Sequence, residues 1–433
     1  MSTSSSFENR RLVVDVFAAA LGISAWVEIN GLWTQTPILT TQLPEKWSLA
    51  SHIVLLTQIA NIGPLIYGLF SKKLKPYEDR VIHFTLFIGT IASALLAIFW
   101  RQTVIIGGKE RSLPILILTL FLAMVDCTSS VLYLPYMANF KSKYLMAFFI
   151  GEGLSGFLPS MIALFQGVGG NPKCVNISRI IDGSQHFTIE PHYPEPKFSM
   201  TIFCVLLTAI MIFSWISFTV LNSSFCESER VRNNSSQNDE DQTHPESPIV
   251  HKSAFYLNKF RFRYLLLIQA ATCALTNGFM PSIQSYSCAP YGTLTYNMAV
   301  KLAGLANPIC SFFAFFYKKN ISLVVVNVCT LYGLICTLYI VITALTSPEP
   351  PLQDNAFGSL LLIFAWISFT GSFAYVKSCI ASLFRDHAKQ GHVALFWVGV
   401  FTQVGSFSGA IISFCLISYG NIFVPYNPCA NIH

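Results

Sequence analysis

Eleven separate apolar runs, each near the length that crosses a bilayer, constrain this chain more than any other feature of its sequence. They lie near 12–33, 50–70, 81–100, 112–137, 144–168, 198–221, 263–286, 293–316, 321–346, 357–377 and 393–418. Crossing roughly 30 Å of hydrocarbon takes about twenty residues of α-helix. Within lipid the backbone must satisfy its own hydrogen bonds, which selects helices. The expected fold is all-α, a polytopic membrane protein with eleven transmembrane helices. Composition agrees, with 53% hydrophobic and 11% charged residues, where soluble domains carry roughly 25% charge. The first run holds Asp15, Glu28 and Asn30 and lacks a signal peptide's small-residue cleavage site, so it reads as a retained helix.

The net charge of +6 sits in short loops rather than on one aromatic-laced face, which argues against nucleic-acid binding. With the N-terminus inside, eighteen Lys and Arg residues fall on cytoplasmic segments and seven outside, which predicts an extracellular C-terminus. Residues 222–262 are polar, acidic in the middle and basic at the end, the composition of a disordered cytoplasmic linker. That stretch divides a six-helix bundle, 1–221, from a five-helix bundle, 263–433, the layout of carriers that rock two bundles about a central cavity. Matching the two halves residue by residue reveals no convincing repeat.

The proline-rich stretch 169–197 reads as an irregular exterior lid, and its sequon at Asn176 lies outside, where glycosylation is possible. Of the twelve cysteines, Cys174, Cys288 and Cys429 lie on or near the oxidising face, where one pair could form a disulfide, with no connectivity assigned.

Polar side chains at bilayer depth are functional candidates by default. At 100° per residue Trp26, Asn30 and Trp33 share an arc of about 60°. Similar stripes hold Asp126, Ser130 and Tyr133; Glu152, Ser155, Pro159 and Gln166; Asn277 and Gln284; and Trp366, Thr370, Phe373 and Lys377. Gln58 with Asn61 and Gln403 with Ser406 are neighbours at i, i+3. Any one stripe is explained by helix packing, but so many carboxamides together suggest a wet cavity. A carboxamide donates and accepts, and no arginine lies within a helix core, so the cavity suits a neutral solute with a planar ring rather than a phosphate or dicarboxylate. Asp126 and Glu152 are the deep acids, candidates either for proton coupling or for neutralising Lys301 or Lys377.

Several runs, in order, resemble the eukaryotic riboflavin transporter family of solute carriers: NGLW at 30–33, LPEKWSL at 43–49, QIANIGP at 58–64, DCTSSV at 126–131 and GEGLSGFLPS at 151–160. ALTNGFMPSIQSYSC at 274–288, PYG at 290–292, ANP at 306–308, YVKS at 375–378 and QVGSFSGA at 403–410 continue it. The resemblance implies eleven spans, a plasma-membrane location and sodium-independent riboflavin uptake, favoured in some members by acidic pH. Three positions depart from the family pattern: Gln35 where Glu is frequent, Glu349 where an exterior cysteine is found, and Lys301 at a usually apolar position.

Read against flavin chemistry, Trp26, Trp33, Tyr286 or Tyr375 would stack on the tricyclic ring. Asn30, Asn61, Asn277 and Gln403 would bond its dione edge, and Gln58, Glu152, Gln284 and Lys377 the ribityl hydroxyls. No cofactor or metal is expected. The rival carrier reading is a nucleoside or another neutral heterocycle; a membrane receptor or scaffold is the rival of another class. An embedded enzyme would need a cluster such as HExxH or paired aspartates, and the sequence has none.

Overall fold

The computed structural model describes residues 11–141, 144–167, 172–181, 184–230, 259–316, 322–387, 391–420 and 422–429. Much of the linker expected over 222–262, residues 231–258, lies outside them. Of its flanks, Ser224–Glu229 forms a 3-10 helix and Lys259 begins an α-helix.

The fold is almost wholly helical. Before the linker come α1 (Leu12–Ile23), α2 (Val27–Gln42), α3 (Leu49–Ile59), α4 (Ile62–Leu74), α5 (Glu78–Phe99), α6 (Leu113–Ala138), α7 (Leu145–Gln166) and α8 (Met200–Leu221). After it come α9 (Lys259–Cys273), α10 (Met280–Cys288), α11 (Thr293–Phe316), α12 (Leu323–Leu345), α13 (Ala356–His387) and α14 (Gly391–Ser418). Among the described residues eight helical stretches are long and apolar enough to cross a membrane, nine with the bent α1–α2 pair. One of them, Lys46–Phe99, spans 54 residues and contains two of the expected apolar runs. The α11 helix, whose sequence is interrupted by Asn297, Lys301 and Asn307, is not among them.

The exterior of the fold is that of a body solvated by lipid. On α12 the residues Val324, Val328, Leu331, Ile335 and Leu338 recur every three or four positions, and all are at least 59% exposed. In water such a stripe would mark an interaction surface. Polar side chains turn inward instead: Asp126, Gln35, Gln166 and Lys301 are all at most 1% exposed.

One apolar core is made entirely of residues between Val14 and Cys226. Two others draw their buried residues from between Leu265 and Phe423. Helices α7 and α2 pack on α11, and α3 packs on α14 and α10, so the two halves of the chain meet along these faces.

Two helices are interrupted where they face the centre. The chain bends by 52° between α1 and α2 at Ser24–Trp26, and a π-helical turn, Ala274–Phe279, separates α9 from α10. The first break exposes backbone groups that α6 satisfies: Asp126 Oδ2 accepts from the Ile29 amide at 3.1 Å, and Ser129 Oγ donates to the Ala25 carbonyl at 3.0 Å. Ile29 is the third residue of α2, the position at which an N-cap oxygen ordinarily bonds. The DCTSS segment of α6 thus caps a broken helix from the side.

The stretch 169–197 departs from the irregular lid expected of it. Lys173–Ile181 (β3) and Ser184–His192 (β4) form an antiparallel hairpin, for which the β-branched residues of CVNISRII supply the propensity. A smaller hairpin joins Val104–Ile106 (β1) to Lys109–Arg111 (β2). Its turn residues Gly107 and Gly108 have φ of +59° and +75°, as a two-residue hairpin turn requires. The exterior cysteines resolve into one bridge, Cys174–Cys429, which ties the β3–β4 hairpin to the tail after α14. Cys288 is a buried free thiol in α10.

Candidate functional site

A cavity of about 920 Å³ lies between the two halves, a volume within the roughly 300–1,000 Å³ typical of ligand sites. Its walls come from α2, α3, α6 and α7 on one side and from the π turn, α10, α11, α13 and α14 on the other. The outer helices α5, α8, α9 and α12 contribute no lining residue among those described.

Trp26, Asn30, Trp33, Gln58, Asn61, Glu152, Asn277, Gln284 and Gln403 all line this cavity. Several are held by neighbours. Asn61 Nδ2 donates to the Gln58 carbonyl at 3.3 Å. Asn277 Nδ2 donates to Ser406 Oγ at 3.0 Å, while Thr276 Oγ1 donates to Asn277 Oδ1 at 3.0 Å. Glycines let the walls approach: a Cβ on Gly153 of α7 would overlap the Phe312 ring of α11. One on Gly304 of α11 would lie 2.7 Å from Ser160 Oγ of α7. Phe149, Phe312, Phe369 and Trp366 add aromatic surface.

Three of the residues expected here lie elsewhere. Tyr286 follows Gln284 by two positions, about 200° around a helix, and packs against Phe423 with ring centroids 5.6 Å apart. Tyr375 packs on the apolar core around Leu265 and Phe384. Lys377 donates to Thr276 Oγ1 at 3.3 Å from behind the cavity wall. On α13 the lining passes from Trp366, Phe369 and Thr370 to Ser378, Ala381 and Ser382, skipping the turn that carries Tyr375 and Lys377. Asp126 is also outside the cavity, at 0% exposure, occupied in capping α2.

Sequence reasoning gave no site role to Thr276, Thr402, Ser160, Phe149 or Phe312, all of which line the cavity. Hydroxyls and phenyl rings are ordinary in apolar helices, and the phase of each helix about the cavity is set by packing that no single run encodes.

Glu152 is the one charged side chain among the described lining residues. Neither deep acid neutralises Lys301: its ammonium donates to the Ala163 carbonyl at 2.6 Å and reaches the Gly167 carbonyl at 3.4 Å. These carbonyls belong to the end of α7, where helix carbonyls lack intrahelical partners and cations are favoured. Lys301 therefore caps a helix of the opposite half.

Around it the same end of the cavity is closed by further bonds. Gln35 Nε2 donates to Gln166 Oε1 at 2.7 Å, Gln166 Nε2 to the Phe198 carbonyl at 3.0 Å, and Ser285 Oγ to the Trp47 carbonyl at 3.2 Å. The lining extends the other way, to Met146 near the start of α7 and Ser382 near the end of α13.

A profile of the family described as "Solute carrier family 52, riboflavin transporter" matches residues 10–425. Member 3-A of that family from Danio rerio is 36% identical over 447 residues, covering 96% of this chain and 98% of its own. Member 2 from Homo sapiens is 32% identical over 445 residues, covering 98% of each chain. Among solved structures, a point mutant of the nucleoside transporter NupG superposes with a TM-score of 0.55 at 11% identity, covering 96% of this chain and 93% of its own. At that identity the likeness shows the fold alone.

Proposed function

Because this chain belongs to the solute carrier family 52 of riboflavin transporters, we propose that it takes up riboflavin across the plasma membrane by alternating access. The observation that carries this reading is the composition of the cavity, whose lining amides and aromatic rings surround a single acid and no described base. Such a surface favours a neutral, planar, hydrogen-bonding solute over an anion.

Trp26 and Trp33 offer ring faces for the tricycle, and Asn30, Asn61, Asn277 and Gln403 carry the donor and acceptor groups its dione edge needs. Gln58, Glu152 and Gln284 remain for the ribityl hydroxyls. Helices of the two halves meet across the cavity, so rocking of one half against the other exposes the solute to each side in turn. Transport is sodium-independent in this reading, and favoured by acidic pH where Glu152 must carry a proton. Six spans precede the linker and five follow it, with the N-terminus cytoplasmic, the C-terminus extracellular and Asn176, exposed on β3, open to glycosylation.

The test is tracer or fluorescence uptake of riboflavin by cells expressing the chain, with unlabelled flavins and nucleosides as competitors. Saturable uptake blocked by flavins and untouched by uridine is expected. No saturable uptake, or equal block by uridine, refutes the assignment.

A further inference from the structure

The two halves share a pattern too short to find by matching sequences but plain once the helices are placed. Each half begins with an interrupted helix carrying Asn-Gly, at Asn30-Gly31 beyond the α1–α2 break and at Asn277-Gly278 inside the π turn. Each follows with an Ala-Asn ahead of a proline, Ala60-Asn61 at the junction of α3 and α4 before Pro64, and Ala306-Asn307 within α11 before Pro308. Each then presents a Ser-Gly with a second serine four residues on, at Ser155-Gly156 with Ser160 in α7 and at Ser408-Gly409 with Ser413 in α14.

The packing repeats as well. A Cβ on Gly151 of α7 would overlap the Ala19 carbonyl of α1. One on Gly405 or Gly409 of α14 would overlap the carbonyl of Ala270 or Ala274. By this correspondence Asn30 pairs with Asn277 and Asn61 with Asn307, and all four line the cavity.

Within each pair one amide is tied and one is free, and the roles are exchanged between halves. Asn61 is bonded to Gln58 and Asn277 to Ser406 and Thr276. Asn30 and Asn307 make no side-chain hydrogen bond among the described residues, and Asn307 is exposed to the cavity. Asn30 approaches α11 about one turn from Asn307. A Cβ on Gly156 would lie 3.5 Å from Asn30 Nδ2 and 4.0 Å from the Gly304 carbonyl, and Asn307 follows Gly304 by three residues, one helical turn.

We propose that Asn307, to which no role is otherwise assigned, determines specificity, gripping with Asn30 an imide edge of the solute, the carbonyl–NH–carbonyl sequence of a flavin's pyrimidine ring. Each carboxamide supplies one donor group and one acceptor, so two amides from opposite halves satisfy an acceptor–donor–acceptor edge that neither fills alone. The tied amides Asn61 and Asn277, already bonded to neighbours, line the cavity beside this pair. This inference rests on the riboflavin reading and names the chemical feature that the site recognises.

The experiment compares the parent chain with Asn307→Ala and Asn307→Ser in riboflavin uptake, with competition by a flavin methylated at the imide nitrogen. Flavin fluorescence quenching by the purified full-length proteins gives Kd independently of delivery to the membrane. The parent is expected to reject the methylated flavin. Both variants should bind riboflavin about tenfold more weakly, the worth of one lost hydrogen bond, and discriminate against the methylated flavin severalfold less. A parent that transports riboflavin beside variants with unchanged Kd and unchanged discrimination overturns this inference alone. A parent that neither transports nor binds riboflavin overturns the transport reading and this inference with it.

Discussion

Replacing Lys301 by Met tests whether the closed end of the cavity is held by that one ammonium. Methionine keeps the length and most of the volume of the side chain, so packing in α11 is preserved while the donor is lost. At 1% exposure Lys301 makes one short bond, to Ala163 at 2.6 Å, and one long contact, to Gly167 at 3.4 Å. Only the short bond counts fully, and a hydrogen bond from a charged group contributes about 1.5–3 kcal/mol. When this end opens, ammonium and carbonyls alike face water, so the bond stabilises the closed arrangement alone. Its loss should shift the balance toward the opened arrangement by about 10- to 100-fold, at 1.4 kcal/mol per tenfold.

Ser160 lies just inside the closure, lining the cavity one turn before Ala163. In a chain whose free cysteines are replaced, Ser160→Cys should react with an impermeant maleimide on intact cells faster in the Lys301→Met background by that factor. An unchanged or slower rate, with the protein at the surface, would refute the latch. Fast reaction in the Lys301 background itself would show that this end of α7 faces the reagent already open.

Three further outcomes follow from the geometry. Asp126→Ala should lower stability in detergent by about 0.5–2 kcal/mol, the worth of a lost helix cap, while Asp126→Asn, which keeps an acceptor for the Ile29 amide, should recover most of it; equal melting shifts for the two would place the effect in the charge. Trp26→Ala should raise the Kd for riboflavin about tenfold, since stacking on an aromatic side chain contributes about 1–3 kcal/mol, whereas Tyr375→Phe, outside the cavity, should leave it unchanged in a fluorescence titration. Gly151→Val should abolish surface protein because its side chain collides with the Ala19 carbonyl, whereas Gly68→Ala meets nothing within 4 Å and should be silent on a surface-biotinylation blot.

Hydropathy made the all-helical membrane fold legible because a bilayer leaves the backbone few alternatives. The stripe of Trp26, Asn30 and Trp33 was legible too, since helical periodicity fixes which side chains share a face whatever that face meets. Tyr375 and Lys377 misled for the complementary reason: a long helix meets the cavity over part of its length, and only tertiary packing says where. Asp126 was recognisable as deep, but its partner is a backbone amide freed by a helix break that Ser24–Trp26 signals weakly. The hairpin of β3 and β4 was obscured by Pro191 and the prolines flanking it, although the Val and Ile residues of CVNISRII carried the signal. Lys301 stood out as anomalous at its position, and the cap it provides depends on α7 ending in the opposite half.

The Cys174–Cys429 bridge closes a covalent ring of chain with its two ends 255 residues apart in sequence. Residues 231–258 lie inside that ring. A single protease cut there opens the ring without parting the pieces, so the two fragments should migrate together on a gel until a reductant is added. Nicked in this way, the two halves of the chain stay joined covalently through Cys174 and Cys429 alone.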